Sequence, residues 1–457
     1  MDTPSLYHKL SRLLPKATIR LDTKTLEAHA GDKWFARHLP EAVALPRSTK
    51  EVSIILAFAQ KNNIPVTTRG AGYGYVGGCV PAKGGISLST ARMNEILDMN
   101  PRDGVAVVQP GVITKSIDDA AAAVGWYYPP DPASYADSSI GGNIATNAGG
   151  PHCLKYGVTK HYVLGMEIVL ADGTIVRTGG RCHKNKSGFS LTELFVGSEG
   201  LLGVITEATI RLIPRPQTRG ALAVSFKTMS AAANCVDAIL NGGHLPSALE
   251  LADEWTLRAA RKYLGSDKIP KGHAFLLVEI DGRHSAVKSE LPELQSLIQK
   301  NGGFDIRSAI GEANCDNIWN LRRQFSQSLK ATGLHKLNED IVVPRSKLVE
   351  LFKFTSKLQK DNGIPVACFG HAGDGNIHVN IMIDDKSRIE RKKSDQMLDL
   401  LFTQIIHWGG AITGEHGIGL AKKPWWPIAA NPSLRKLHKQ VKSALDPKDI
   451  LNPGKFI

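Results

Sequence analysis

The sequence predicts an α+β protein of two domains. Three observations carry that reading: the length, the short β runs alternating with helical periodicity before residue 215, and a second half where strands interleave with longer helices. The chain has 457 residues, more than the ~250–300 at which single hydrophobic cores stop growing. Hydrophobic residues make up 42% and charged residues 22%. That balance belongs to an ordinary globular protein and excludes wholesale disorder.

The elements follow in order. Ser48 and Glu51 form a capping-box pattern. Val52, Ile55, Leu56 and Ala59 then share one helical face. Residues 64–68 and 105–109 are short β runs. Residues 114–124 read as a helix stopped by Gly125. Two β runs within 163–179 meet at Asp172-Gly173 and predict a hairpin. Residues 204–212 form a further strand, and Pro214 and Pro216 mark a boundary near 215. In the second half, 275–280 and 304–310 read as strands. Residues 287–300, 313–331, 347–361 and 392–408 read as helices. Between the last two of these lies an apolar run broken by a polar turn, VACFGHAGDGNIHVNIMI. No internal repeat is visible.

Bulk features narrow the function. The N-terminus has no apolar core long enough for a signal peptide, and no stretch reaches the ~18 apolar residues of a spanning helix. A cytoplasmic protein is the expectation. The six cysteines are scattered without a C-x-x-C pair, which sets aside iron–sulfur clusters and structural zinc on this chain. The net charge of +13, from 56 basic and 43 acidic residues, would suit an anionic partner. The basic residues are spread along the chain, however, so a solvated surface explains them better than nucleic-acid binding. The densest cluster, Arg388, Arg391, Lys392 and Lys393 around Glu390, opens a predicted helix as a solvated face.

Two glycine-rich segments could hold a cofactor. In RGAGYGYVGG, residues 69–78, Gly72, Gly74 and Gly77 match a dinucleotide-fingerprint spacing. The fingerprint must open a helix, and residues 78–88 read as loop and strand, so a nicotinamide site is not expected. What remains is a run of N–H groups able to form an anion nest. The second segment, SSIGGNIATNAGG at 138–150, is dense in backbone donors and lets a pyrophosphate approach closely.

Six segments in one order carry a specific resemblance: RGAGYGYVGG, VQPGV, YPPDPAS, SSIGGNIATNAGG, KYGVTKHYVLGMEIVLADG and FVGSEGLLGVIT. Together they resemble the FAD-binding domain of the vanillyl-alcohol-oxidase-type flavoproteins. The second half resembles the branch holding the glycolate oxidase large subunit, D-lactate dehydrogenase and D-2-hydroxyglutarate dehydrogenase. The resemblance implies a two-subdomain FAD-binding domain over 1–215, a cap with an antiparallel sheet and helices over 216–440, and a tail, 441–457, returning to the first domain. It implies FAD held by Arg69, Gly70, Ala71, Gly72, Tyr73, Gly74, Tyr75 and Gly77. Further contacts would come from Pro130, Asp131, Ser138, Ser139, Gly141, Gly142, Asn143, Thr146, Asn147 and Gly149. Tyr156, Gly157, Glu199, Gly200, Gly203, Ile205 and Asn452 complete the set. Tyr73 stands where some members attach FAD through a histidine, so non-covalent FAD is expected.

The second half holds GHAGDGNIH, residues 370–378, and ITGEHGIG, residues 412–419. A lone histidine at a turn usually just satisfies backbone groups. His371, His378 and Glu415 together make a two-histidine, one-carboxylate set suited to Zn²⁺, with Mn²⁺ or Fe²⁺ as alternatives. His416 is left as a base with a suitable pKa. By resemblance, Arg322 clamps the substrate carboxylate, with Ser326 one turn later on the same helical face. A solvated Arg322–Arg323 pair is the plainer alternative. Asn338 stands where some relatives carry Lys, a departure that bears on which acid is taken. The expected substrate is a small D-2-hydroxy acid such as D-lactate, glycolate or D-2-hydroxyglutarate. Electrons would leave to a protein or quinone acceptor. Peripheral association at the inner membrane face and a homodimer are further expectations. An aromatic-alcohol oxidase and an alkylglycerone-phosphate-synthase-like enzyme are the alternatives on the same fold.

Overall fold

The computed structural model describes residues 3–266 and 269–457. The chain divides into two compact units. Unit 1 contains residues 1–149, 158–215 and 415–457; unit 2 contains residues 150–157 and 216–414. The sequence placed the return to the first domain at 441, whereas the chain re-enters unit 1 at Glu415.

Unit 1 is built on two main sheets. The first has four strands in the order Ile19–Arg20, Ala42–Ala44, Ile86–Ser89, Val66–Arg69, and the last three run parallel. Parallel strands need crossover connections. The helix Thr49–Asn62 carries the chain from Ala42–Ala44 to Val66–Arg69, on the two sides of Ile86–Ser89, and its buried residues are Val52, Ile55, Leu56 and Ala59, the face read from periodicity. Ser48 caps it by accepting from the Glu51 N–H, and Asn63 ends it in the left-handed region. The C-terminal tail extends this sheet. The Val66 N–H donates to Ile450 O and the Asn452 N–H donates to Val66 O, each at 2.7 Å. Ile450 and Leu451 therefore belong to the same core as Val66 and Ile86.

The second sheet has five antiparallel strands in the order Ile96–Asn100, Val105–Val108, Val204–Arg211, Val163–Val169, Ile175–Gly179. Its last two strands form the expected hairpin, with Val169 opposite Ile175. Gly173 takes φ +88 at the turn, where a side chain would be strained.

Unit 2 is one antiparallel sheet of seven strands. Their order is Phe304–Ile310, Thr218–Phe226, Ala274–Gly282, Ala248–Ala252, Val366–His371, Asn376–Ile383, His335–Val342. One face carries an aromatic core of Phe275, Phe325, Phe369 and Trp319. The helix expected over 313–331 is two helices, Glu312–Arg323 and Phe325–Lys330, broken at Gln324. Phe325 lies fully buried just after the break, edge-on to Phe275. Aromatic packing sets the chain direction there. The short stretch 150–157 also belongs to unit 2. His152 Nε2 lies 2.9 Å from Glu279 Oε1, and Lys155 and Tyr156 both engage Asp281. Arg388, Arg391, Lys392 and Lys393 are exposed on the helix Arg388–His407. No helix among the described residues is long and apolar enough to cross a membrane.

Candidate active site

Unit 1 encloses a cavity of about 320 Å³, within the size range of small-molecule and cofactor pockets. The first glycine segment lines it with Gly70, Ala71, Gly72, Tyr73, Gly74 and Tyr75. The second contributes Ser138, Ser139, Gly141, Gly142, Asn143, Thr146 and Gly149. Glu199, Gly200, Gly203 and Ile205 come from a third, and Glu415 and His416 close the list of expected residues that line it.

The two glycine segments are stitched directly together. The Ala71 N–H donates to Ser139 Oγ at 3.2 Å. A Cβ on Gly70 would lie 2.5 Å from that same oxygen, so glycine here permits backbone contact. Within the second segment residues Ile140–Thr146 form a short helix. Its glycines serve close packing: a Cβ on Gly141 would meet Pro110 Cβ at 2.6 Å. Thr68 Oγ1 and Ser138 Oγ are buried on this lining without a partner among the described residues. Such orphaned polar atoms fit a polar ligand such as the dinucleotide implied by the sequence.

Several expected residues do other work. The Arg69 guanidinium turns back into the fold, donating to Gly31 O and to Cys79 Sγ, so it is not in the lining. Asn147 caps its helix at φ +51 and accepts from the Lys160 N–H. Tyr156 and Gly157 belong to unit 2, where the Tyr156 hydroxyl donates to Asp281 Oδ2 at 2.6 Å. Gly77, Pro130 and Asp131 also lie outside the lining. Asn452, 1% exposed, braces two lining segments instead. Its Nδ2 donates to Gly78 O at 3.0 Å and to Glu199 O at 2.7 Å.

Two carboxylates organise this cavity. Asp32, absent from the sequence-based set, lines it and accepts from the Trp34 N–H at 2.9 Å. Burial raises its pKa against the pull of the nearby backbone N–H groups and of Arg69. Its neighbourhood, AGDKW, carries no signal beyond a Gly-Asp turn. Glu199 has φ +50 and accepts from the Ile418 and Gly419 N–H groups, each at 2.8 Å. It thereby holds the turn that follows His416. The His416 ring lies 5.3 Å from the Tyr75 ring, centroid to centroid.

Unit 2 brings the two expected metal-ligand histidines together. The strands Val366–His371 and Asn376–Ile383 pair antiparallel, with Phe369 opposite His378 and His371 opposite Asn376. Directly paired and i+2 residues share a face, so both imidazoles stand on one side. Their ring centroids are 5.6 Å apart, and each offers a ligand nitrogen within 4.8 Å of the other. Glu415 follows Gly414, whose N–H donates to Asp340 Oδ2 at 2.9 Å. The chain leaves unit 2 at that point.

A third carboxylate, missed from sequence, joins the predicted parts of unit 2. Glu250 is fully buried. Its Oε1 lies 2.5 Å from His371 Nδ1, and its Oε2 accepts from Arg322 Nε at 2.6 Å. Burial pushes its pKa up, but His371 and Arg322 outweigh that and hold it below the usual range. The Arg322 guanidinium sits 4.8 Å from the Phe369 ring centroid. The available signal was a lone acid in an otherwise apolar strand, ALELA. Ser326, across the helix break from Arg322, accepts from Lys336 Nζ at 2.9 Å. Burial pulls Lys336 down to about 8. Asn338 lies on the same strand and keeps a buried Oδ1 without a partner among the described residues.

Comparison with known proteins gives consistent matches. The family described as FAD linked oxidases, C-terminal domain, matches residues 215–456, and an FAD binding domain matches residues 40–179. Glycolate oxidase subunit GlcD of Bacillus subtilis is 38% identical over 418 residues, covering 92% of this chain and 89% of that protein. D-lactate dehydrogenase of Archaeoglobus fulgidus is 39% identical over 419 residues, covering 91% of each. Among solved structures, p-cresol methylhydroxylase with substrate bound superposes with a TM-score of 0.81 at 18% identity, over 99% of this chain and 96% of that one. An alkyldihydroxyacetonephosphate synthase gives 0.76 at 20% identity, over 100% and 85%. At such identities these two structures share the fold alone.

Proposed function

Because this chain belongs to the FAD linked oxidases and has the vanillyl-alcohol-oxidase-type fold, we propose that this FAD-binding oxidoreductase is a D-2-hydroxy-acid dehydrogenase. The substrate is a small acid of the D-lactate, glycolate or D-2-hydroxyglutarate class, and the product is the 2-oxo acid. The names of the relatives support the reaction class. The observation that carries the reading is the Arg322–Glu250–His371 chain beside His378. A 2-hydroxy acid presents a carboxylate and a hydroxyl on neighbouring carbons. An arginine beside a histidine pair matches that pattern.

In this reading residues 1–215 and the returning tail hold FAD, and the intervening domain holds the acid. The glycine segments at 69–78 and 138–150 cradle FAD non-covalently, since Tyr73 offers no imidazole for attachment. FAD when bound supplies the acceptor for the C2 hydride. His371, His378 and Glu415 are the ligand set for a divalent ion, Zn²⁺ before Mn²⁺ or Fe²⁺, and such an ion lowers the pKa of a coordinated hydroxyl. Arg322 Nε is engaged by Glu250, and the terminal nitrogens of the same fork face the substrate carboxylate as a bidentate clamp. His416 takes the hydroxyl proton. Ser326 contributes its hydroxyl beside Arg322. Electrons then pass to a protein or quinone acceptor. Cytoplasmic residence with peripheral association at the inner membrane face, and a homodimer, belong to the same proposal.

The test is an anaerobic visible spectrum of the purified protein with each acid in turn, before and after chelation. Bleaching of the flavin bands by one acid, abolished by the chelator and restored by Zn²⁺, is the expected result. A flavin reduced equally well after chelation would sink the metal-assisted step. A flavin that no 2-hydroxy acid reduces would sink the substrate class.

A further inference from the structure

Glu250 sits at the centre of a strand whose five residues are all buried. A carboxylate with no exposed surface needs strong compensation, because burying an unpaired charge costs several kcal/mol. Its two oxygens are divided between two different parts of the proposed site. One is 2.5 Å from His371 Nδ1 and the other 2.6 Å from Arg322 Nε. The partners come from separate elements: the strand Val366–His371, which pairs directly with Ala248–Ala252, and the helix Glu312–Arg323. The register places Glu250 opposite His371, so the contact follows from the sheet itself.

We infer that Glu250 is a positioning residue that couples metal affinity to substrate-acid affinity; the inference rests on the metal-assisted reading above. A carboxylate on Nδ1 keeps the proton there and directs the Nε2 lone pair outward, which sets the tautomer a metal ligand needs and raises its basicity. The same carboxylate fixes the guanidinium plane through Nε. Phe369 supports that plane from the ring side. Neither group can reorient without disturbing the other, because both bonds end on one side chain. Weakening Glu250 therefore loosens the ion and the acid together, although Glu250 touches neither.

The experiment compares wild type, Glu250→Gln and Glu250→Asp as full-length holoenzymes. Zn²⁺ affinity is read without substrate, by competition with a fluorescent chelator. Glu250→Gln keeps the size but loses the charge and turns an amide against one partner. Zn²⁺ binding is expected to weaken ~10–100-fold, as for other residues that orient metal-bound histidines. KM for the hydroxy acid rises in the same variant when assayed at saturating Zn²⁺. Glu250→Asp keeps the charge that neutralises Arg322, so it folds even where Glu250→Gln does not, and it loses part of both affinities. Wild-type protein that binds no divalent ion overturns the metal reading and this inference with it. Wild type that binds Zn²⁺, with both variants binding it as tightly, overturns the inference alone. A variant in which KM rises at unchanged Zn²⁺ affinity does so too, because that pattern reports the clamp without the coupling.

Discussion

His416 stands one residue before a turn held by a buried carboxylate, and its ring packs near Tyr75 on the cavity wall. That arrangement presents an imidazole on a fixed backbone, the requirement for a general base. In the proposed reaction His416→Asn removes the proton acceptor, and it changes no residue of the glycine segments. Flavin reduction by the acid, followed anaerobically by stopped flow, is expected to slow by ~10²–10⁴-fold. The flavin content per chain should stay as in wild type. Gly141 makes a different kind of demand. Its missing Cβ is the space taken by Pro110, so Gly141→Ala overpacks the junction of helix and loop. A loss of ~1–3 kcal/mol is expected, read from chemical denaturation with flavin fluorescence as the probe.

At the scale of elements, the candidate site is made where segments distant in sequence meet. Glu199 ties its own turn to residues 418 and 419, and Asn452 ties that turn to Gly78. Glu199→Gln keeps one acceptor and turns an amide N–H₂ toward the other backbone N–H. Leaving a buried donor unsatisfied costs ~1–3 kcal/mol. The variant is expected to melt earlier and to reduce its flavin more slowly, because the segment carrying His416 is no longer pinned. In unit 2 the hairpin of Val366–His371 and Asn376–Ile383 does the corresponding work. Its register alone puts two imidazoles on one face.

At the scale of the whole molecule, buried charge in unit 2 contributes to the response to acid. Burial pushes the Glu279 carboxyl up, but His152, Arg219 and the Trp319 N–H outweigh it and hold the group at about 2, below its ordinary 4.5. A carboxylate depressed in the folded state adds stability that is complete above the unfolded value. That contribution disappears as pH falls from about 4.5 toward about 2. Wild type should therefore lose stability across that window in urea titrations of unit 2. Glu279→Gln should be weaker at pH 7 and show a shallower acid loss. A variant with the wild-type acid slope would show that other groups govern it.

Local patterns in the sequence determined a good part of this protein. The face Val52, Ile55, Leu56, Ala59 follows from a 3.6-residue period, and the hairpin at Asp172-Gly173 from a turn that only certain residues adopt. The ordered glycine segments led to an FAD domain, and GHAGDGNIH led to a histidine pair, since both depend on neighbours within a few residues. Tertiary structure decided the rest. Glu250 meets partners 72 and 121 residues away, and no local period records which distant group a buried acid will face. The helix break at Gln324, the inward turn of Arg69 and the transfer of residues 150–157 to unit 2 are of the same kind. Each is set by packing or hydrogen bonding against a surface built from other parts of the chain. Sequence periodicity shows which side of an element is buried; the partner on that side exists only once the chain has folded.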